Sequence, residues 1–158
     1  MLLADTLALA SRKVIKPSVH GLADMQSPKF LIDYATLTGT CISSLTNRYI
    51  GAFSNKPELI SSIIRAGETS GERIWPFPID EDFNDDLKSD IADVLQCRIP
   101  GEGDHIYAAS LLKRFVNPTV PWVHLDLGSA HRPGGLGHVD SDYTGTGVRA
   151  SIELLFNS

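Results

Sequence analysis

An α/β fold, with helices in layers around a mostly parallel or mixed sheet, is predicted by three features of this 158-residue sequence. Short apolar runs of strand length recur at 29–32, 49–53 and 120–127. Segments with apolar residues at helical spacing alternate with them. Alternation of this kind builds parallel strands covered by helices. The length suits a single domain spanning 1–158 and is sufficient to bury a core. With 42% apolar and 21% charged residues, the composition is that of an ordinary soluble globule.

The first pattern is helical. Leu2, Leu3, Thr6, Leu7, Ala10 and Val14 share one face and predict a helix over 2–13, with no capping residue ahead of it. Residues 17–28 are polar and punctuated by Gly and Pro, so they read as loop. Lys29-Phe30-Leu31-Ile32 reads as a buried strand that breaks at Asp33 into small and hydroxyl-bearing residues. A short helix is expected over 41–45 and a strand over 49–53. Ser54 can cap the next helix, whose apolar face is Leu59, Ile60, Ile63, Ile64 and Gly67. Pro57 stands early in that helix, where its missing N–H costs little.

Two prolines forbid helix over 73–79, which is read as extended. Residues 80–93 are acidic, with Phe83, Leu87 and Ile91 at helical spacing, and 98–104 form a Pro/Gly loop. Asp104 is a good N-cap for a helix over 105–116, with Ala108, Ala109, Leu112, Phe115 and Val116 inward. A buried strand follows over 120–127, then a glycine-rich loop over 131–144. Val148, Ile152, Leu155 and Phe156 give a terminal helix.

A net charge of −5, with the basic residues scattered, argues against a nucleic-acid surface. No apolar segment is long enough to span a membrane, and no basic stretch leads into an apolar one as in a signal peptide. Cys41 and Cys97 have no CxxC spacing and suggest thiols in a reducing compartment, so the chain is read as cytoplasmic.

The segment Asp33-Tyr34-Ala35-Thr36-Leu37-Thr38-Gly39 is where the chain is expected to meet a ligand. Open α/β sheets place ligands at the carboxyl ends of strands. Small residues there expose backbone groups, and Gly39 permits close approach. This segment resembles the ATLTG stretch of the leucyl aminopeptidase, or cytosol aminopeptidase, family. Six further stretches match in order. They are Gly51-Ala52-Phe53-Ser54-Asn55, Ser70-Gly71-Glu72-Arg73-Ile74-Trp75-Pro76-Phe77-Pro78, Leu87-Lys88-Ser89-Asp90-Ile91-Ala92-Asp93, Ala108-Ala109-Ser110-Leu111-Leu112-Lys113-Arg114-Phe115-Val116, Trp122-Val123-His124-Leu125-Asp126 and Thr144-Gly145-Thr146-Gly147-Val148-Arg149. One such match is weak; seven in order over nearly the whole chain are specific.

The resemblance implies an incomplete version of the zinc-aminopeptidase fold, the C-terminal portion of a catalytic domain. It also implies an enzyme that removes N-terminal residues from peptides with two Zn²⁺ or Mn²⁺ ions, and that assembles as a hexamer. In the family, the last metal ligands and a catalytic arginine lie in an NTDAEGR motif. That motif immediately precedes the stretch matched by Leu2-Leu3-Ala4-Asp5-Thr6-Leu7. The expectation is therefore that this chain holds no catalytic residue and no metal ligand, and is inactive alone. What the resemblance leaves is substrate binding. Thr36, Leu37 and Gly39 would line the site, Gly128 the floor of the first side-chain pocket, His131 its rim, and Cys97 the second pocket. A non-catalytic scaffold that oligomerises or complements a separate N-terminal half is the alternative.

Other metal arrangements are weaker. His124 and Asp126 share a strand face, and His131, His138, Asp140 and Asp142 crowd one loop, all residue types that zinc accepts. A His-x-Asp in a core strand is more commonly a hydrogen-bonded buried pair, and that reading is taken here. The acidic cluster Asp80, Glu81, Asp82, Asp85 and Asp86 reads as a solvated face. No GxSxG elbow supports a serine nucleophile.

Overall fold

The computed structural model describes residues 2–12, 28–97 and 102–156. The expected loop over 17–28 lies almost wholly outside these residues, as do positions 98–101 of the loop expected over 98–104. Four strands form one mixed sheet: β1 (Leu31–Ala35), β2 (Ile50–Ser54), β3 (Ile74–Pro76) and β4 (Trp122–Asp126). Their order is β1-β4-β2-β3. β1 and β4 are parallel, β2 and β3 are parallel, and β4 runs antiparallel to β2. The predicted class, helices around a mixed sheet, is what the chain forms.

Two faces of the sheet carry different chemistry. Ile50, Ala52, Ile74, Val123 and Leu125 point to one side, where Ile63 and Ala66 of α3 (Pro57–Ser70) and Ala150 and Leu154 of α5 (Val148–Phe156) complete an apolar core. Because strand side chains alternate, Asp33, Phe53, Trp122, His124 and Asp126 point to the other side. There Trp122 packs with Ala4 and Leu7 of α1 (Leu2–Ala10) and Leu112 and Val116, in and just beyond α4 (Asp104–Lys113). A short α2 (Gly39–Leu45) closes the same side.

Several elements depart from expectation. β1 continues through Asp33 to Ala35 instead of ending at Ile32, because partners on β4 satisfy the Asp33 carboxylate inside the sheet. Ser54 is the last residue of β2 and not a helix cap. Lys56 holds the cap position of α3 without a side-chain bond, while Ser54 Oγ accepts the Lys56 N–H at 3.1 Å. Asp104 is the first residue of α4; left-handed Gly103 (φ 76°) precedes it at the cap. The acidic segment forms only a 3₁₀ stretch, Glu81–Leu87. Leu87 is buried, but Ile91 is 97% exposed, and Ser89 Oγ accepts the amides of Ile91 and Ala92, a local bond that competes with helix. α1 buries Ala4 and Leu7, with Ser11 buried just beyond its end, and leaves Leu2 and Ala10 outside. The terminal helix forms as predicted, yet it buries Ala150 and Leu154 and exposes all four residues that announced it.

Glu72 ties the two ends of this layer together. Its carboxylate is buried at the start of α5 and accepts the amides of Gly147 (3.0 Å) and Ala150 (2.9 Å). A carboxylate at a helix N-terminus satisfies donors that the helix itself cannot and meets the positive end of its dipole.

Candidate active site

The carboxyl ends of β1 and β4 lie side by side because the two strands are parallel, with Ala35 in register with Asp126. Asp126 is 1% exposed and reaches across to the turn that leaves β1. Its Oδ1 accepts the Leu37 N–H at 3.0 Å and its Oδ2 accepts the Thr38 hydroxyl at 2.8 Å. Thr38 Oγ1 in turn accepts the Cys41 amide and caps α2. One carboxylate therefore fixes both the turn and the helix that follows it.

That turn opens into a cavity of about 220 Å³. Leu37 and Thr38 form one wall, Leu3 and Ala4 of α1 another, and Tyr107 and Leu111 of α4 a third, with Cys97 at the margin. Such a mostly apolar hollow with a few polar groups is the usual form of a small-ligand site. Of the residues picked from sequence, the structure brings Leu37 and Cys97 together at this cavity. Thr36 and Gly39 are exposed on the same turn. Gly128 and His131 lie outside it. Gly128 is buried against α2, where an added Cβ would stand 3.3 Å from Ile42 and from the Tyr49 carbonyl. His131 is exposed, bridges to Tyr143 across its loop and packs edge-to-face on that ring at 5.2 Å.

Beneath the turn lies a polar layer that sequence reading missed. Asp33 Oδ2 accepts the Trp122 indole N–H at 2.6 Å, and Asp33 Oδ1 accepts from His124 Nδ1 at 2.6 Å. His124 and Asp126 are both buried, but they are not a pair: His124 bonds Asp33, and Asp126 holds the turn. The parallel register that places Asp33 opposite His124 decides this. The remaining nitrogen of His124, Nε2, is buried with no partner among the described residues. His105 packs edge-on to Phe77 at 4.4 Å, and burial lowers its pKa against the opposing pull of Asp126 and Asp104. A period-two reading of Leu31-Ile32-Asp33-Tyr34-Ala35, which places Asp33 on a buried face, is the one signal that could have flagged this layer.

Cys41 is fully buried, 4.0 Å from the Asp126 carbonyl. Burial, reinforced by the Asp126 charge, pushes its thiol up to about 12 from an ordinary 9.0. The folded state then keeps a proton that the unfolded chain releases. This stabilising difference is fully present below pH 9 and is lost as pH rises from about 9 toward 12. Urea titrations across that range should show a loss of stability that Cys41→Ala reduces.

Among the described residues, no group of three or more His, Cys, Asp or Glu is placed to hold a metal ion. His138 Nε2 instead lies 3.1 Å from Arg149 Nη1, and Asp142 Oδ1 accepts the Gly134 amide.

A family model described as "Cytosol aminopeptidase family, catalytic domain" matches residues 1–152. This chain belongs to the cytosol aminopeptidase family. A "Probable cytosol aminopeptidase" of Syntrophotalea carbinolica is 40% identical over 156 residues, which are 98% of this chain and 28% of that protein. One of Wolbachia pipientis wMel is 41% identical over 147 residues, 91% of this chain and 29% of the relative. Among solved structures, a tomato leucine aminopeptidase mutant superposes with a TM-score of 0.81 at 31% identity, covering 99% of this chain and 27% of that one. The bottromycin maturation enzyme BotP, solved in complex with Mn, gives 0.79 at 34% identity, covering 97% and 32%. This cytosol aminopeptidase family member thus spans less than a third of the length of these relatives.

Proposed function

We infer that these residues are the C-terminal portion of a metal-dependent aminopeptidase that removes N-terminal residues from peptides in the cytoplasm. The observation that carries this reading is the turn pinned by Asp126, which opens into an apolar cavity at the carboxyl end of β1. Leu37 and Thr38 line that cavity, and Thr36 and Gly39 expose the same backbone to a peptide. The cavity takes an apolar side chain with Cys97 at its edge. Gly128 and His131 are assigned, by the resemblance, to the floor and rim of a separate first side-chain pocket. A homo-oligomer, a hexamer, is the assembly inferred.

Two divalent ions, Zn²⁺ or Mn²⁺, would activate water and polarise the scissile carbonyl. Among the described residues no group of three or more His, Cys, Asp or Glu is placed to hold a metal ion, which supports a reading in which these residues do not supply the metal ligands. The inferred role of these residues is therefore to bind and orient the peptide, with the metal ligands supplied from outside them. By themselves they are expected to show no turnover.

A chimera tests this. The Syntrophotalea carbinolica relative, carrying this sequence in place of its matching stretch, should release the chromophore from leucine p-nitroanilide with Mn²⁺ present, whereas the 158-residue chain alone should not. A folded, metal-loaded chimera without activity would refute the peptidase reading. Metal-dependent turnover by the chain alone would refute its inactivity. The second reading, a scaffold that oligomerises or complements a separate N-terminal half, is favoured by one observation, the apolar surface left open on α5.

A further inference from the structure

A second cavity, of about 80 Å³, lies among the residues that lead into β3, the start of α5 and the loop over 131–144. Its lining is mostly polar: Glu72, Arg73, Ser129, His138, Thr146 and Arg149 all contribute. The peptide-binding reading uses none of them.

The hydrogen bonds around this cavity leave donors to spare. The two oxygens of Glu72 are taken by the Gly147 and Ala150 amides, so the first turn of α5 is already answered. Arg149 Nη1 lies 3.1 Å from His138 Nε2, and Nη2 lies 3.5 Å from Glu72 Oε1, longer than a charge-assisted hydrogen bond. Arg149 Nε is buried with no partner among the described residues. Native proteins leave few buried polar atoms unsatisfied, and each one asks for a partner. Arg73 makes no salt bridge among the described residues; its guanidinium stands 5.7 Å from the centre of the Tyr49 ring. Ser129 Oγ and Thr146 Oγ1 are 2.8 Å apart. Only one of them donates in that bond, so the other keeps a hydrogen to give. Two guanidiniums set against one engaged carboxylate make the lining net positive.

We propose that this cavity binds a small free tetrahedral oxyanion of the phosphate class. Arg149 donates to it from Nε, Arg73 supplies the second positive charge, and the Ser129–Thr146 pair supplies a hydroxyl. His138 accepts from Arg149 Nη1 and holds the guanidinium in place. The volume suits such an ion and leaves no room for a larger body attached to it. The bound ion joins the loop that carries His138 to the residue before β3 and to α5. The proposal needs neither metal nor turnover, so it stands or falls apart from the peptidase reading.

The test titrates sodium phosphate into the full chain at constant ionic strength and follows the backbone amides by NMR. The amides of Gly137, Thr146 and Arg149 should shift saturably, with a dissociation constant of about 1 mM. Saturation at these positions separates binding from the general stabilisation that phosphate gives any folded protein. Arg149→Lys should weaken binding about tenfold, because an ammonium lacks the planar fork and the Nε donor. Arg73→Gln, at an exposed position, should do the same with the fold intact by circular dichroism. Arg65→Gln, exposed on α3, should leave binding unchanged. Shifts that do not saturate, saturable shifts that Arg73→Gln leaves as tight as before, or glycerol phosphate binding as tightly as phosphate would each overturn the proposal.

Discussion

Asp33→Ala is expected to destabilise the chain by about 3–5 kcal/mol, a large share of the stability of an ordinary domain. The reason is what remains behind. Trp122 is fully buried and its indole N–H has one acceptor, Asp33 Oδ2. His124 is fully buried and its Nδ1 bonds Asp33 Oδ1. Removing the carboxylate strands both polar groups in a region closed by α1 and α4, where water cannot replace it, and a buried unsatisfied donor costs about 1–3 kcal/mol. A cavity adds to the loss. Asp33→Asn should be milder, because its carbonyl still accepts one of the two bonds. Urea unfolding of the three proteins is the measurement. Equal midpoints for wild type and Asp33→Ala would show that the layer contributes nothing.

The second large effect is expected at Asp126. Its two bonds to Leu37 N and Thr38 Oγ1 are charge-assisted, each worth roughly 1.5–3 kcal/mol. Asp126→Ala should therefore cost about 3–5 kcal/mol by the same measurement. It should also release the Thr36–Gly39 turn. Amide exchange at Leu37 and Cys41 should accelerate more than exchange at Ala52 or Phe53 in the sheet centre. Asp126→Asn keeps an acceptor for Leu37 but turns the bond to Thr38 around, so its exchange pattern should be intermediate. In the chimera, the same substitution should raise KM more than it lowers kcat, because it disorders a binding wall and touches no reacting group. A uniform loss of protection across the sheet would instead mean a purely structural role.

Much of this molecule was legible in the order of its residues. Strands over 49–53 and 120–127 and the helix facing Ile63 follow from apolar spacing, which local backbone geometry converts directly into an element. The family follows from motifs whose order survives in the chain. Local chemistry also explains one failure: the Phe83, Leu87, Ile91 spacing promised a helix, but Ser89 offers the next amides a competing acceptor.

Other features have no local signature. Asp33 looked like the end of a strand because an isolated carboxylate does not belong in a core. Only parallel pairing with β4 places Trp122 and His124 where they can satisfy it. His-x-Asp suggested a pair, but neighbours two apart on a strand cannot bond each other as readily as residues on adjacent strands. The apolar spacing of α5 signalled helix correctly and burial wrongly. Periodicity reports that a face is apolar, whereas what covers the face depends on which elements reach it in three dimensions. The sequence alone therefore determined the elements, the class and the family. The tertiary structure decided which carboxylate holds the turn, where the cavity opens, and which apolar face stays uncovered, because each depends on contacts between residues far apart in the chain.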